Sequence, residues 1–209
     1  MFQDIRKQYN KAVLKELNIP DNPLDLLKHW LQEAIESEEP EPTAMTLSTV
    51  DKRSQVHARV VLLKELDAHK LSFYSNYDSD KAKQIAHNPS IALSFFWPLL
   101  ERQVRICGKA HMATRKQSAE YFATRPYESQ IGAWASPQSK KIDSPDYLLK
   151  QFEYYKNLYP SNVPIPQHWG GYNVLPHSIE FWQGRPNRLH DRLLFTYENE
   201  TWTVQRLAP

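Results

Sequence analysis

Five glycines in a chain of 209 residues restrict its possible folds more sharply than any motif it carries. They are Gly108, Gly132, Gly170, Gly171 and Gly184. No arrangement of them spells G-x-G-x-x-G, a P-loop or G-x-S-x-G, so folds that cradle phosphate or expose a nucleophile on a glycine-rich turn are excluded. If this chain holds a phosphate, side chains must do it. The single cysteine, Cys107, excludes an intramolecular disulfide, a C-x-x-C pair and any multi-cysteine zinc site. Eight histidines lie scattered without H-E-x-x-H, and no metal is expected.

The remaining pattern is mostly sheet. Asn22-Pro23 followed by Asp25 reads as a helix start, and Leu24, Leu27, Leu31 and Ala34 then recur at helical spacing. An acidic, proline-punctuated stretch from Glu36 to Pro42 ends that helix as a linker. Strand-length runs follow at Thr43 to Val50, Val56 to Leu66, Leu71 to Ser75, Ile91 to Trp97 and Gln103 to Met112. Helices are expected at Ser79 to His87, Lys116 to Thr124 and Tyr147 to Leu158. Further strands are expected at Trp169 to Val174, Ser178 to Gln183, Leu189 to Tyr197 and Thr201 to Leu207, the last ones a meander turning at 183–187 and 198–200. Helices that do not alternate regularly with strands disfavour a doubly wound parallel sheet. They favour an antiparallel barrel in an α+β setting, as one domain over 1–209.

Charge narrows the function classes. Twenty-six basic against twenty-four acidic side chains leave a formal charge of +2, which argues against gripping nucleic acid or an anionic membrane. The most apolar window, Ile91 to Leu100, is too short to span a bilayer and contains Pro98. The charged N-terminal segment lacks the apolar region of a signal peptide, so a soluble cytoplasmic protein is expected.

Three constellations carry candidate chemistry. Arg59-Val60-Val61-Leu62-Leu63-Lys64 reads either as a core strand with solvated ends or as a strand offering one cation to each of two anions. Tyr121, Arg125 and Ser129 stand four apart, but Pro126 predicts that one helix ends near Arg125 and another begins there. Their hydroxyls and guanidinium would suit a phosphate without glycine, against the alternative of a surface Arg beside a core Tyr. In Ile179-Glu180-Phe181-Trp182-Gln183-Gly184 and Arg188-Leu189-His190-Asp191-Arg192, alternation would put Arg188, His190 and Arg192 on one strand face. Their mutual repulsion would be relieved by an anionic ligand, unless the face is simply solvated.

This last stretch, with Arg59 to Lys64, Glu101-Arg102-Gln103-Val104, Arg125-Pro126 and Ser129-Gln130-Ile131-Gly132-Ala133-Trp134, resembles the pyridoxamine 5′-phosphate oxidase family. The resemblance runs from about Arg6 to the terminal Arg206-Leu207-Ala208-Pro209. It implies a mainly β, FMN-binding split β-barrel with peripheral helices, working as a homodimer with FMN at the subunit interface. It implies oxidation of pyridoxine or pyridoxamine 5′-phosphate to pyridoxal 5′-phosphate by O2.

On these residues, Arg59 and Lys81 would hold the FMN phosphate beside Tyr74 and Ser75. Leu62, Lys64, Gln103, Gln138, Ser139, Trp182 and Arg192 would contact the flavin. Lys64, Tyr121, Arg125 and Ser129 would take the substrate phosphate. Arg188 and His190 would lie over the substrate ring as the catalytic pair. Arg6 and Tyr9 would belong to an N-terminal lid over 1–20, and 171–209 would supply dimerisation and active-site strands. The family usually has arginine before this lysine, where this chain has Asp80. Two rival readings are a non-catalytic split-barrel carrier and a nucleic-acid-binding barrel. The intact Arg188-Leu189-His190 opposes the first, and the near-neutral charge opposes the second.

Overall fold

The computed structural model describes Asp4 and residues 8–209. Helix α1, Pro23–Glu36, starts where the Asn22 side chain accepts the Leu24 N–H at 3.0 Å. Pro23 fills the first turn, where the N–H it lacks would have had no helical partner. The stripe of Leu24, Leu27, Trp30 and Ala34 is buried in the main core.

Among the described residues, nine strands form one antiparallel sheet: β1 (Ala44–Val50), β2 (Val56–Leu62), β3 (Glu65–Leu66), β4 (Leu71–Asn76), β5 (Ser90–Trp97), β6 (Arg102–Met112), β7 (Trp169–Gln183), β8 (Asp191–Glu198) and β9 (Thr201–Arg206). Their spatial order is β2-β1-β5-β6-β7-β4-β3, with β8 and β9 added beside β7. Strand β6 pairs along most of β7, whose first part also pairs with β4 and whose last part pairs with β8. Strands β2 and β4 also come into contact, so the sheet curls back on itself as a split barrel. Leu47, Phe73, Phe95, Val104, Phe181 and Leu193 fill its inside, each with essentially no exposure. Helices α2 (Asp80–His87), α3 (Arg115–Thr124), α4 (Tyr127–Ala135) and α5 (Pro145–Leu158) lie at the periphery.

Three expected elements are corrected. The run Val56 to Leu66 is two strands, because the chain changes partner: the Leu63 N–H donates to Thr43 of the β1 side and the Lys64 N–H to Ser72 of β4. The segments Trp169 to Val174 and Ser178 to Gln183 are one strand. Pro176 is accommodated where the β6–β7 register shifts between Cys107 and Gly108, at a bulge that tolerates a residue without an N–H. Gly108 permits that approach, since a Cβ there would lie 2.6 Å from the Leu175 carbonyl oxygen. Finally, β8 begins at Asp191, not Leu189. Asn187 and Arg188 both adopt left-handed backbone, φ 56° and 61°, in a short 3₁₀ turn. Arg188, His190 and Arg192 therefore do not alternate along one strand.

Candidate active site

A cavity of about 440 Å³ lies between the β2–β4 edge and helices α2, α3 and α4. Lys64, Tyr74, Ser75 and Lys81 line one part, with Leu62 from the end of β2. Tyr121, Arg125 and Ser129 line another, with Gln138 from the loop after α4. Pro126 separates α3 from α4, as the sequence predicts, and the break lets Tyr121 and Ser129 approach Arg125 from two helices.

The cations here lack anionic hydrogen-bond partners. Lys81 Nζ bonds Gln138 Oε1 at 2.7 Å, Ser75 Oγ at 3.1 Å and Ser79 Oγ at 3.4 Å. Arg59 lies on the opposite face of β2 from the cavity-lining Leu62 and is held by the Leu47 carbonyl, Thr49 Oγ1 and Gln84 Oε1. Burial lowers both cations' pKa values, and Arg59 lowers that of Lys81 further. Two like charges with neutral partners in a partly desolvated site fit a phosphate dianion. Asp80 raises the pKa of both, yet its carboxylate turns outward to Lys83 at 3.7 Å, with both side chains 63% exposed. Ser139, at φ 68°, accepts the Asp80 N–H at 3.3 Å and does not line the cavity.

Arg125 is the sharper case. Its Nη1 is buried without a hydrogen-bond partner, and its guanidinium lies over Trp169 at 4.7 Å from the ring centroid. Burial lowers its pKa, while Tyr121 acts the other way. An orphaned, buried donor on a half-buried cation at a cavity wall is a place for an anion. Behind it, Tyr74 and Tyr121 stack at 3.9 Å, and Trp169 continues the stack 5.6 Å from Tyr74. Gly171 makes room for this wall, because a Cβ there would meet the Tyr74 ring at 2.8 Å. Tyr74 donates to the Glu65 carboxylate, and burial, then that carboxylate, hold the phenol far above its ordinary pKa. Sequence reasoning missed Glu65, Gln117 and Trp169. Only their assembly from β3, α3 and β7 gives them a place in the site.

A second cluster lies apart. Gln103, Trp182, Arg188, His190, Arg192 and Tyr9 do not line the cavity. Trp182 is thirteen positions along β7 from Trp169, about 40 Å of strand contour. Trp182 sits opposite Gln103 and Arg192 in the sheet. Tyr9 meets its ring edge-on at 5.6 Å, and His190 lies 4.6 Å away. Gly184 leaves room for Tyr9, whose ring would lie 2.7 Å from a Cβ there. The Arg185 N–H donates to His190 Nδ1 at 3.1 Å, which leaves Nε2 to carry the proton of the neutral ring. Burial, then the neighbouring Arg188 charge, lowers the His190 pKa. Arg192 donates to the buried Glu180 at 2.7 Å and to the Ala208 carbonyl at 2.8 Å. Gln103 reaches Ser94 at 3.2 Å. Arg6 lies outside the described residues.

Among the described residues no helix is long and apolar enough to cross a membrane. Residues 31–159 match the family described as pyridoxamine 5′-phosphate oxidase, and 169–209 match the pyridoxine 5′-phosphate oxidase C-terminal dimerisation region. A pyridoxine/pyridoxamine 5′-phosphate oxidase of Haemophilus influenzae is 48% identical over 208 residues, covering 100% of this chain and 99% of the relative. One of Teredinibacter turnerae is 48% identical over 209 residues, with 100% and 99% covered. The crystal structure of PhzG from Burkholderia lata 383, in complex with tetrahydrophenazine-1-carboxylic acid, superposes with TM-score 0.90 at 25% identity, covering 94% of this chain and 98% of that one. A pyridoxamine 5′-phosphate oxidase-related, FMN-binding protein of Nostoc punctiforme shares the fold at TM-score 0.72 and 15% identity, with 94% and 98% covered. With two family regions in order and near-complete relatives at almost half identity, this chain belongs to the pyridoxamine 5′-phosphate oxidase family.

Proposed function

We propose that the chain oxidises pyridoxine 5′-phosphate and pyridoxamine 5′-phosphate to pyridoxal 5′-phosphate, with FMN as cofactor, as a cytoplasmic homodimer. The alcohol and O2 give the aldehyde and H2O2; the amine, O2 and water give the aldehyde, ammonia and H2O2. The observation that carries the reading is a cavity without a glycine-rich phosphate loop, lined by Lys81 at one end and Arg125 at the other, where Lys81 and the neighbouring Arg59 have only neutral hydrogen-bond partners and Arg125 Nη1 has none. Those two ends suit two phosphates, one of the cofactor and one of the substrate. Bound FMN supplies the two-electron acceptor that O2 regenerates.

The protein's part is position and charge. Arg59, Lys81 and Ser75 hold the cofactor phosphate. Arg125, Tyr121, Ser129 and Lys64 hold the substrate phosphate. Arg188 orients the substrate ring, and His190 donates a hydrogen bond from Nε2. Trp182, Gln103 and Arg192 flank the flavin, and Tyr9 covers the ring from the N-terminal lid. The dimerisation match and the separation of the two clusters along β7 support a site that takes one cluster from each protomer.

The test is the visible spectrum of FMN-loaded protein mixed anaerobically with pyridoxine 5′-phosphate, then aerated. Bleaching of the flavin band with recovery in air is expected. Flavin that stays oxidised would overturn the assignment.

A further inference from the structure

The wall between the two phosphate ends is held from behind by a carboxylate. Glu65 accepts from the Tyr74 hydroxyl through one oxygen and from Gln117 Nε2 at 2.7 Å through the other. Gln117 in turn exchanges hydrogen bonds with Asn173, at 3.1 and 3.2 Å, and Asn173 accepts from Ser72 Oγ at 2.7 Å. This chain of polar side chains joins β3, β4, α3 and β7. Helix α3 carries Tyr121, which stacks on Tyr74, and it ends immediately before Arg125. Trp169, at the start of β7, supports both Tyr121 and the Arg125 guanidinium.

We infer that Glu65 is a positioning residue for the substrate-phosphate end of the cavity, acting through Tyr74 and Gln117. It does not line the cavity. It fixes the phenol of Tyr74 and the first turn of α3, and these fix the planes of Tyr121 and Trp169 against which Arg125 is set. The inference rests on the proposed function for the identity of the bound anion, though not for the geometry. The acceptor pattern makes it specific. A glutamine at 65 offers one acceptor to two donors: either its NH2 meets the NH2 of Gln117, which must then turn away from Asn173, or its NH2 meets Tyr74, whose hydroxyl must then accept and give up its donated bond. Exchanging the two side chains restores a complementary pattern.

The experiment measures binding of inorganic phosphate to the FMN-loaded enzyme by calorimetry, beside KM and kcat for pyridoxine 5′-phosphate. Glu65→Gln is expected to weaken phosphate and raise KM about tenfold, the scale of one hydrogen bond to a charged group, with kcat within about twofold. The double variant Glu65→Gln/Gln117→Glu is expected to recover most of that loss, as coupled neighbours do. Unchanged phosphate affinity in the single variant would overturn the inference, and so would a loss that the exchange does not repair. Because phosphate binding needs no turnover, a wild-type enzyme that binds phosphate but never bleaches its flavin would defeat the functional assignment alone.

Discussion

Arg125→Met separates two opposed effects of one guanidinium. Burial holds the Arg125 pKa below its ordinary value, so folding works against its charge at every pH below that pKa. Its Nη1 has no hydrogen-bond partner, and an unsatisfied buried donor costs about 1–3 kcal/mol. The contact with Trp169 at 4.7 Å offsets part of this, about 0.5–2 kcal/mol for a cation over an aromatic face. Methionine keeps much of the volume and removes both terms. The expected net gain is about 1 kcal/mol in the enzyme without substrate, or a rise in Tm of about 2–4 °C for a chain of this size.

The same substitution removes a charged hydrogen bond to the substrate phosphate, worth about 1.5–3 kcal/mol, so KM should rise about 10- to 150-fold. Turnover at saturation should change far less. The assay pairs calorimetric melting of the FMN-loaded, substrate-free enzyme with steady-state kinetics. A variant that melts lower than wild type while keeping its KM would refute the reasoning. It would mean that the guanidinium is a satisfied structural group.

Asp80→Arg should tighten FMN about two- to thirtyfold, the range for reversing an exposed charge beside a phosphate site; an unchanged or weaker dissociation constant in a flavin fluorescence titration would count against it. His190 has its pKa depressed first by burial and then by Arg188, so stability present above its unfolded pKa is lost as pH falls below about 6.5. His190→Gln should flatten that part of a plot of Tm against pH, and equal losses in both proteins between neutral and mildly acid pH would contradict the protonation assignment. Arg188→Ala should lower kcat with flavin still bound; normal turnover would remove Arg188 from the reacting ring. Mixed dimers of the Arg125→Met and Arg188→Ala proteins, assayed at substrate well below the raised KM where each parent is slow, should regain activity if each site draws one cluster from each protomer, whereas sites built within one protomer would gain nothing.

Most elements were legible because each follows a local rule. Asn22-Pro23 caps α1, Pro126 divides α3 from α4, and the alternation in β1, β5 and β6 is the pleat of a sheet with one buried face. The failures occur where the answer depends on a distant partner. Nothing in Leu62-Leu63-Lys64 says that the chain leaves β1 for β4, because both pairings use extended backbone. Pro176 looks like a break until Gly108, far away in sequence, supplies the bulge opposite it. Arg188-Leu189-His190 has the rhythm of a strand, yet the left-handed turn at Asn187 and Arg188 delays β8 to Asp191.

The site divides along the same line. Arg59, Lys64 and Arg125 stood out by their spacing at strand and helix ends, whereas Lys81 entered only through the family resemblance. The parts that hold them were silent. Glu65 has the appearance of an ordinary charge at a strand end and Trp169 of a core aromatic. Each becomes part of the site only through a contact made across three elements. Residues that touch a ligand must carry its complementary chemistry, which spacing or a family resemblance can expose. Residues that aim them need only the right geometry, which many side chains can provide, and the fold alone reveals which ones do.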